Sequence, residues 1–94
     1  MHSITQLLTT PGRTLIDVRS PMEFASEQLP GSLNFPVDTI SQHVDEIKKM
    51  NQPIIVYCRS GARSAMACQI LKEAGLSGFH NGGSIYDLQF EIQQ

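Results

Sequence analysis

Only two of the 94 residues are cysteine, Cys58 and Cys68. That is too few for a disulfide framework or a cysteine-based zinc site. The three histidines, His2, His43 and His80, show no ligand spacing, so no metal site is expected. Long apolar runs are also missing. The longest, Ile54 to Cys58, is far too short to cross a bilayer. Met1 to Thr10 has no basic segment followed by an apolar one, so no secretory leader is expected and the expected location is the cytoplasm. Neither sign of charge dominates: 7 Lys and Arg against 9 Asp and Glu leave −2. That balance argues against nucleic-acid or membrane-surface binding. No internal repeat, low-complexity tract or linker interrupts the chain.

What is present fits one folded domain over residues 1–94, with 40% hydrophobic and 17% charged residues. Ser3 to Thr9 starts with an N-cap serine and sets Ile4, Leu7 and Leu8 on one helical face. Thr10-Pro11-Gly12 breaks it. Thr14 to Val18 is short and β-rich. Ser20-Pro21 opens a short helix carrying Met22 and Phe24. Leu29-Pro30-Gly31 is a turn, and Ser32 to Phe35 a brief strand ended by Pro36. Ile40, Val44 and Ile47 predict one amphipathic helix over Asp38 to Met50. Pro53 to Tyr57 is the clearest strand. Ser64 to Ala74 is a helix with Ala67, Ile70, Leu71 and Ala74 on one face and Gly75 as its stop. Gly78 to Asn81 is a weak strand, Gly82-Gly83 a break, and Ile85 to Ile92 a terminal helix. Strands alternating with helices predict an α/β fold, a small parallel sheet flanked by helices.

In such sheets, sites form beyond the carboxyl ends of strands. The segment after the clearest strand is Cys58-Arg59-Ser60-Gly61-Ala62-Arg63-Ser64. A helix start offers unpaired N–H groups and partial positive charge. Successive loop N–H groups can form an anion-binding nest. Arg59 and Arg63 add two guanidinium groups. All three favour a thiolate at Cys58. One use of such a thiolate is attack on phosphorus, but cysteine phosphatases typically require Cys-x5-Arg. Here Ser64 stands six after Cys58 and the arginine comes one earlier, at Arg63. A smaller group, a persulfide or the sulfane sulfur of thiosulfate, matches the shorter loop better.

Several separated pieces, in order, resemble the rhodanese family. They are Asp17-Val18-Arg19 with Glu23-Phe24, Leu29-Pro30-Gly31-Ser32-Leu33-Asn34-Phe35-Pro36, the six-residue loop from Cys58 through Arg63, and Asn81-Gly82-Gly83. The resemblance spans about Leu15 to Leu88. It implies a rhodanese-like α/β fold with helices on both faces of the sheet. It also implies a single-domain sulfurtransferase working through a Cys58 persulfide. The donor would be thiosulfate or a persulfide; the acceptor would be cyanide, a small thiol or a protein thiol. No metal or organic cofactor is implied. Substrate binding falls to Arg59, Ser60, Gly61, Ala62, Arg63 and Ser64. Two positions depart from the family: Gln28 stands where a histidine is common, and Leu88 where a tryptophan is common. Both read as packing or hydrogen-bonding positions. The alternatives are a cysteine-dependent phosphatase or arsenate reductase, and a non-enzymatic persulfide carrier or interaction module.

Four further residues have expected places. Arg19 and Glu23, four apart, are expected to pair across a helical turn. Asp17 either braces the active loop through hydrogen bonds or serves as a cap or turn residue; the alternative reading of Arg19 sets it near that loop, as a second supporting residue. Cys68 is expected to be a small core residue.

Overall fold

The computed structural model describes residues 3–93. Met1, His2 and Gln94 lie outside them, and with them the start of the leader reading and one of the three histidines. Four strands, β1 (Thr14–Asp17), β2 (Leu33–Asn34), β3 (Ile54–Cys58) and β4 (Phe79–Ser84), form one sheet in the order β2-β1-β3-β4. Every neighbouring pair is parallel. The helices are α1 (Ile4–Leu8), α2 (Pro21–Ser26), α3 (Val44–Lys48), α4 (Ala62–Glu73) and α5 (Ile85–Ile92).

Period-two alternation divides the core between the two sheet faces. Ile16, Val18, Ile54, Val56 and Cys58 pack with Ala67 and Leu71 of α4 and with Ile40 and Ile47. Leu15, Ile55 and Tyr57 pack with Leu7 and Leu8 of α1 and with Ile85 and Leu88 of α5. All five residues of β3 are buried, which is why its apolar run is continuous rather than alternating. Each fully buried leucine or isoleucine contributes about 1.5–3 kcal/mol. The sheet is therefore covered by helices on both faces, the rhodanese-like arrangement.

Local signals acted as expected at several ends. Ser3 caps α1 and Ser20 caps α2, each in a reciprocal capping box with the side chain three residues on, Gln6 and Glu23. Two expectations are corrected. The helix over Asp38 to Met50 is instead a 3₁₀ turn, Ile40–His43, followed by α3. His43 leaves helical geometry (φ −116°, ψ 14°), and its ring packs on Phe35 at 5.0 Å. Ile40 and Ile47 still reach the same core. The second correction concerns Gly82-Gly83, which does not break the strand but lies inside β4. The pairing shifts there: Val56 faces Asn81, and Tyr57 faces Gly83. Gly82 is the extra residue of a bulge. A Cβ on it would lie 2.8 Å from the Ile55 Cγ2 atom, so only glycine fits.

Candidate active site

The carboxyl ends of β3 and β4 lie side by side, with Cys58 paired to Ser84. After Cys58 the chain turns through residues 59–61 into α4, which starts at Ala62, two residues earlier than the sequence suggests. Gly61 is the helix N-cap at φ 103°, a left-handed conformation that glycine adopts without steric cost. This turn points the Gly61 N–H at the Cys58 Sγ, 2.9 Å away. The early start of α4 puts Arg63 and Ser64 in its first turn, with Ser64 fully buried against the sulfur.

The Cys58 thiol donates to the Ser64 Oγ at 3.5 Å. The same Oγ lies 2.7 Å from Asn81 Oδ1 and 3.0 Å from the Gly61 carbonyl oxygen. Asn81 Oδ1 also accepts the Gly83 N–H at 2.9 Å. Burial pushes the Cys58 thiol up. Hydrogen bonds from the Ser64 hydroxyl and from the N–H groups of Ser64, Gly61 and Ser60 outweigh it, and the thiol is held below its usual 9.0. The arrangement is an anion cradle: backbone donors at a helix start converging on one sulfur.

The two arginines of the loop differ. Arg59 is exposed and makes no ion pair among the described residues. Arg63 is held bidentately by Glu23, Nη1 to Oε1 at 2.7 Å and Nη2 to Oε2 at 3.0 Å. Glu23 also accepts the Ser20 N–H in the α2 cap. Arg63 is the largest cause that holds the Glu23 carboxyl down to about 2. One side chain thus ties α2 to the start of α4. Ser60 and Ala62 are exposed, and Gly61 is half-buried.

The expected Arg19–Glu23 pair is therefore corrected. Arg19 instead grips Asp17, with Nε 3.0 Å from Oδ1 and Nη2 2.8 Å from Oδ2, both side chains buried. Its guanidinium also donates to the Glu27 carbonyl. Nor does Asp17 brace the loop. It shares strand parity with Leu15, whereas Cys58 packs on the opposite face with Ile16 and Val18. Its Oδ1 accepts the Arg19 N–H at 2.9 Å, the turn role left open by the sequence. Together Asp17 and Arg19 form a buried structural pair at the end of β1.

Asn81 is the site residue that sequence reasoning missed. It was seen as part of a glycine motif. Its placement depends on the bulge at Gly82, which no local signal other than the glycine pair foretells. Cys68, half-buried, packs against the core as expected, and burial pushes its thiol up to about 11. A cavity of about 330 Å³, lined by Gln6, Leu7, Thr10, Gln52, Pro53, Gly78 and His80, opens at the other end of β3 and β4, away from the loop. Among the described residues, no His, Cys, Asp and Glu cluster could hold a metal ion, and no helix is long and apolar enough to cross a membrane.

Comparison with known proteins agrees with the fold. The family model of the rhodanese-like domain matches residues 2–91. A sulfurtransferase of Allochromatium vinosum is 39% identical over 75 residues, 79% of this chain and 69% of that protein. The thiosulfate sulfurtransferase PspE of Escherichia coli is 31% identical over 74 residues, 78% of this chain and 71% of that protein. Among solved structures, a rhodanese with anions from E. coli superposes with a TM-score of 0.72 at 31% identity, covering 80% of this chain and 89% of that one.

Proposed function

Because this chain belongs to the rhodanese-like family, we propose that it is a single-domain sulfurtransferase whose nucleophile is Cys58. The carrying observation is the cradle of N–H groups from Ser60, Gly61 and Ser64 around a sulfur at the end of β3. In the first half-reaction the Cys58 thiolate attacks the sulfane sulfur of thiosulfate. The S–S bond of the donor breaks, and sulfite leaves with the electron pair. The persulfide that remains carries negative charge on its terminal sulfur, which the cradle donors stabilise as an oxyanion hole does. In the second half-reaction cyanide or an acceptor thiol attacks the terminal sulfur, and the pair returns to Cys58 as thiolate. No general base is needed, since the nucleophile is already favoured as an anion.

Arg59, exposed and unpaired, steers the anionic donor toward the loop. Arg63 shapes the loop through Glu23. That bond also weighs against the phosphatase reading, because a guanidinium whose fork is filled by a carboxylate does not present it to a phosphate. The family likeness to a rhodanese solved with anions supports an anion-binding loop.

Intact-mass measurement after thiosulfate treatment tests the reading. One sulfur atom, about 32 Da, is expected on Cys58, and cyanide should remove it. An adduct on Cys68, or one that persists in Cys58→Ser, would overturn the assignment. Steady turnover with thiosulfate and cyanide separates an enzyme from a carrier loaded by partner proteins.

A further inference from the structure

We propose that Asn81 competes with the Cys58 sulfur for the single proton of Ser64, and so sets how readily that sulfur becomes a nucleophile. The inference rests on the reading of Cys58 as nucleophile and adds a positioning residue that acts through Ser64.

The orientation of the Asn81 amide follows from its neighbours. Gly83 N–H can only donate, and it meets the amide at 2.9 Å. The atom it meets is therefore the carbonyl oxygen, Oδ1. That same oxygen lies 2.7 Å from Ser64 Oγ, so in this contact Ser64 must be the donor. The Gly61 carbonyl, 3.0 Å away, is also acceptor-only. It already takes the Ala65 N–H as the first bond of α4. The fully buried Ser64 hydroxyl thus has one proton and two fixed acceptors.

The third neighbour changes role. As a thiol, Cys58 donates its S–H to Ser64 Oγ in a hydrogen bond of 3.5 Å, and the Ser64 O–H donates to Asn81 Oδ1. Every group is then satisfied. When Cys58 ionises, its proton goes to solvent and the sulfur becomes an acceptor. Three acceptors now face one hydroxyl proton. If Ser64 turns to the thiolate, Asn81 Oδ1 gives up that donor and keeps the Gly83 N–H. The strength of the Asn81 bond is therefore subtracted from the stabilisation that Ser64 can offer the anion. No proton passes between residues in this exchange; the Ser64 O–H only rotates.

The charged and titratable groups around the sulfur are Arg59 in the loop, Arg63 with its partner Glu23 from α2, and Cys68 within the shared core. Asp17 lies on the opposite sheet face. The end of β4 adds Asn81, Gly82, Gly83 and Ser84, none of which is charged. A neutral substitution at Asn81 thus leaves the surrounding charges in place.

The test is the pH profile of Cys58 alkylation by iodoacetamide, in a Cys68→Ser background. Asn81→Ala should move the midpoint down. About one pH unit below the original midpoint it should speed alkylation by about threefold. Asn81→Asp, a stronger acceptor of the same shape that also adds a negative charge, should move the midpoint up and slow alkylation about tenfold. Ser64→Ala should also move it up, and Asn81→Ala added to Ser64→Ala should change nothing further. A merely structural role for Asn81 would alter the melting temperature and leave the midpoint in place; that result overturns the proposal, as does an upward shift in Asn81→Ala. If Asn81→Ala does not fold, Asn81→Leu, a neutral side chain of similar size with no acceptor, decides alone, and an unmoved or raised midpoint overturns the proposal. Alkylation requires no sulfur transfer. Failure of thiosulfate to load Cys58 would therefore remove the functional reading while leaving this profile intact, and the reverse also holds.

Discussion

Cys58 and Cys68 stand ten residues apart and touch the same core, yet their thiols shift in opposite directions. Burial raises both. In the middle of α4 nothing opposes it, because the amide groups there are spent on helical hydrogen bonds, and Cys68 goes up to about 11. At the junction of β3 and α4 the N–H groups of Ser60, Gly61 and Ser64 have no helical partner, and they turn to Cys58. The difference teaches that the downward pull on the Cys58 thiol comes from the Ser64 hydroxyl and from unemployed backbone donors rather than from exposure or from a nearby base. The arginines contribute less than their number suggests, since Glu23 neutralises Arg63.

The sharpest way to break this comparison is to exchange the two thiols for inert groups. Cys58→Ser should abolish thiosulfate:cyanide turnover. Cys68→Ala should keep turnover nearly intact and cost about 1 kcal/mol in a denaturant melt, the ordinary effect of trimming a half-buried side chain. Equal losses of activity would mean that both thiols take part. The next largest effect is kinetic. One thiol is held below its usual 9.0 and the other is pushed up to about 11. At neutral pH the thiolate of Cys58 should thus be far more abundant than that of Cys68, and limited iodoacetamide followed by peptide mapping should label Cys58 alone. Labelling of both at similar rates would refute the account of the cradle.

A smaller effect is expected at the tie between α2 and α4. The folded Glu23 carboxyl lies near 2, below its usual 4.5. Its stabilising effect is therefore complete above about pH 4.5 and lost as the pH falls toward about 2. Glu23→Gln should lower the melting temperature by a few degrees at neutral pH, with the difference from the unsubstituted protein closing as the pH approaches 2. A difference that grows on acidification would show that Glu23 matters for some other reason. Arg59→Ala should have the least effect. Arg59 makes no ion pair among the described residues, so the KM for thiosulfate should rise a few-fold with kcat nearly constant, and added salt should shrink the gap. A fall in kcat at constant KM would move Arg59 from the mouth of the loop to the reacting sulfur.

Much of the molecule was legible from local pattern. The apolar run Ile54 to Tyr57 and the serine caps at Ser3 and Ser20 rest on short-range chemistry and stand where that chemistry puts them, while the helix expected from Ser64 begins two residues earlier. Cys58 and its loop could be found because a strand end, a glycine and a helix start follow one another in the chain. The partners of the charged residues were another matter. Spacing favoured Arg19 with Glu23, but a four-residue interval decides a pair only when no better carboxylate is within reach. Asp17 sits at the strand end beside Arg19, and Arg63 arrives from forty residues away to take Glu23.

By itself, then, the sequence determined most of the elements, their alternation and the place of the candidate nucleophile, because periodicity and capping act within a few residues. The tertiary structure alone decided which sheet face each side chain joins, where the bulge at Gly82 sets Asn81, and which arginine is neutralised. Those outcomes depend on strand register and on groups brought together from distant parts of the chain, and no local interval encodes them.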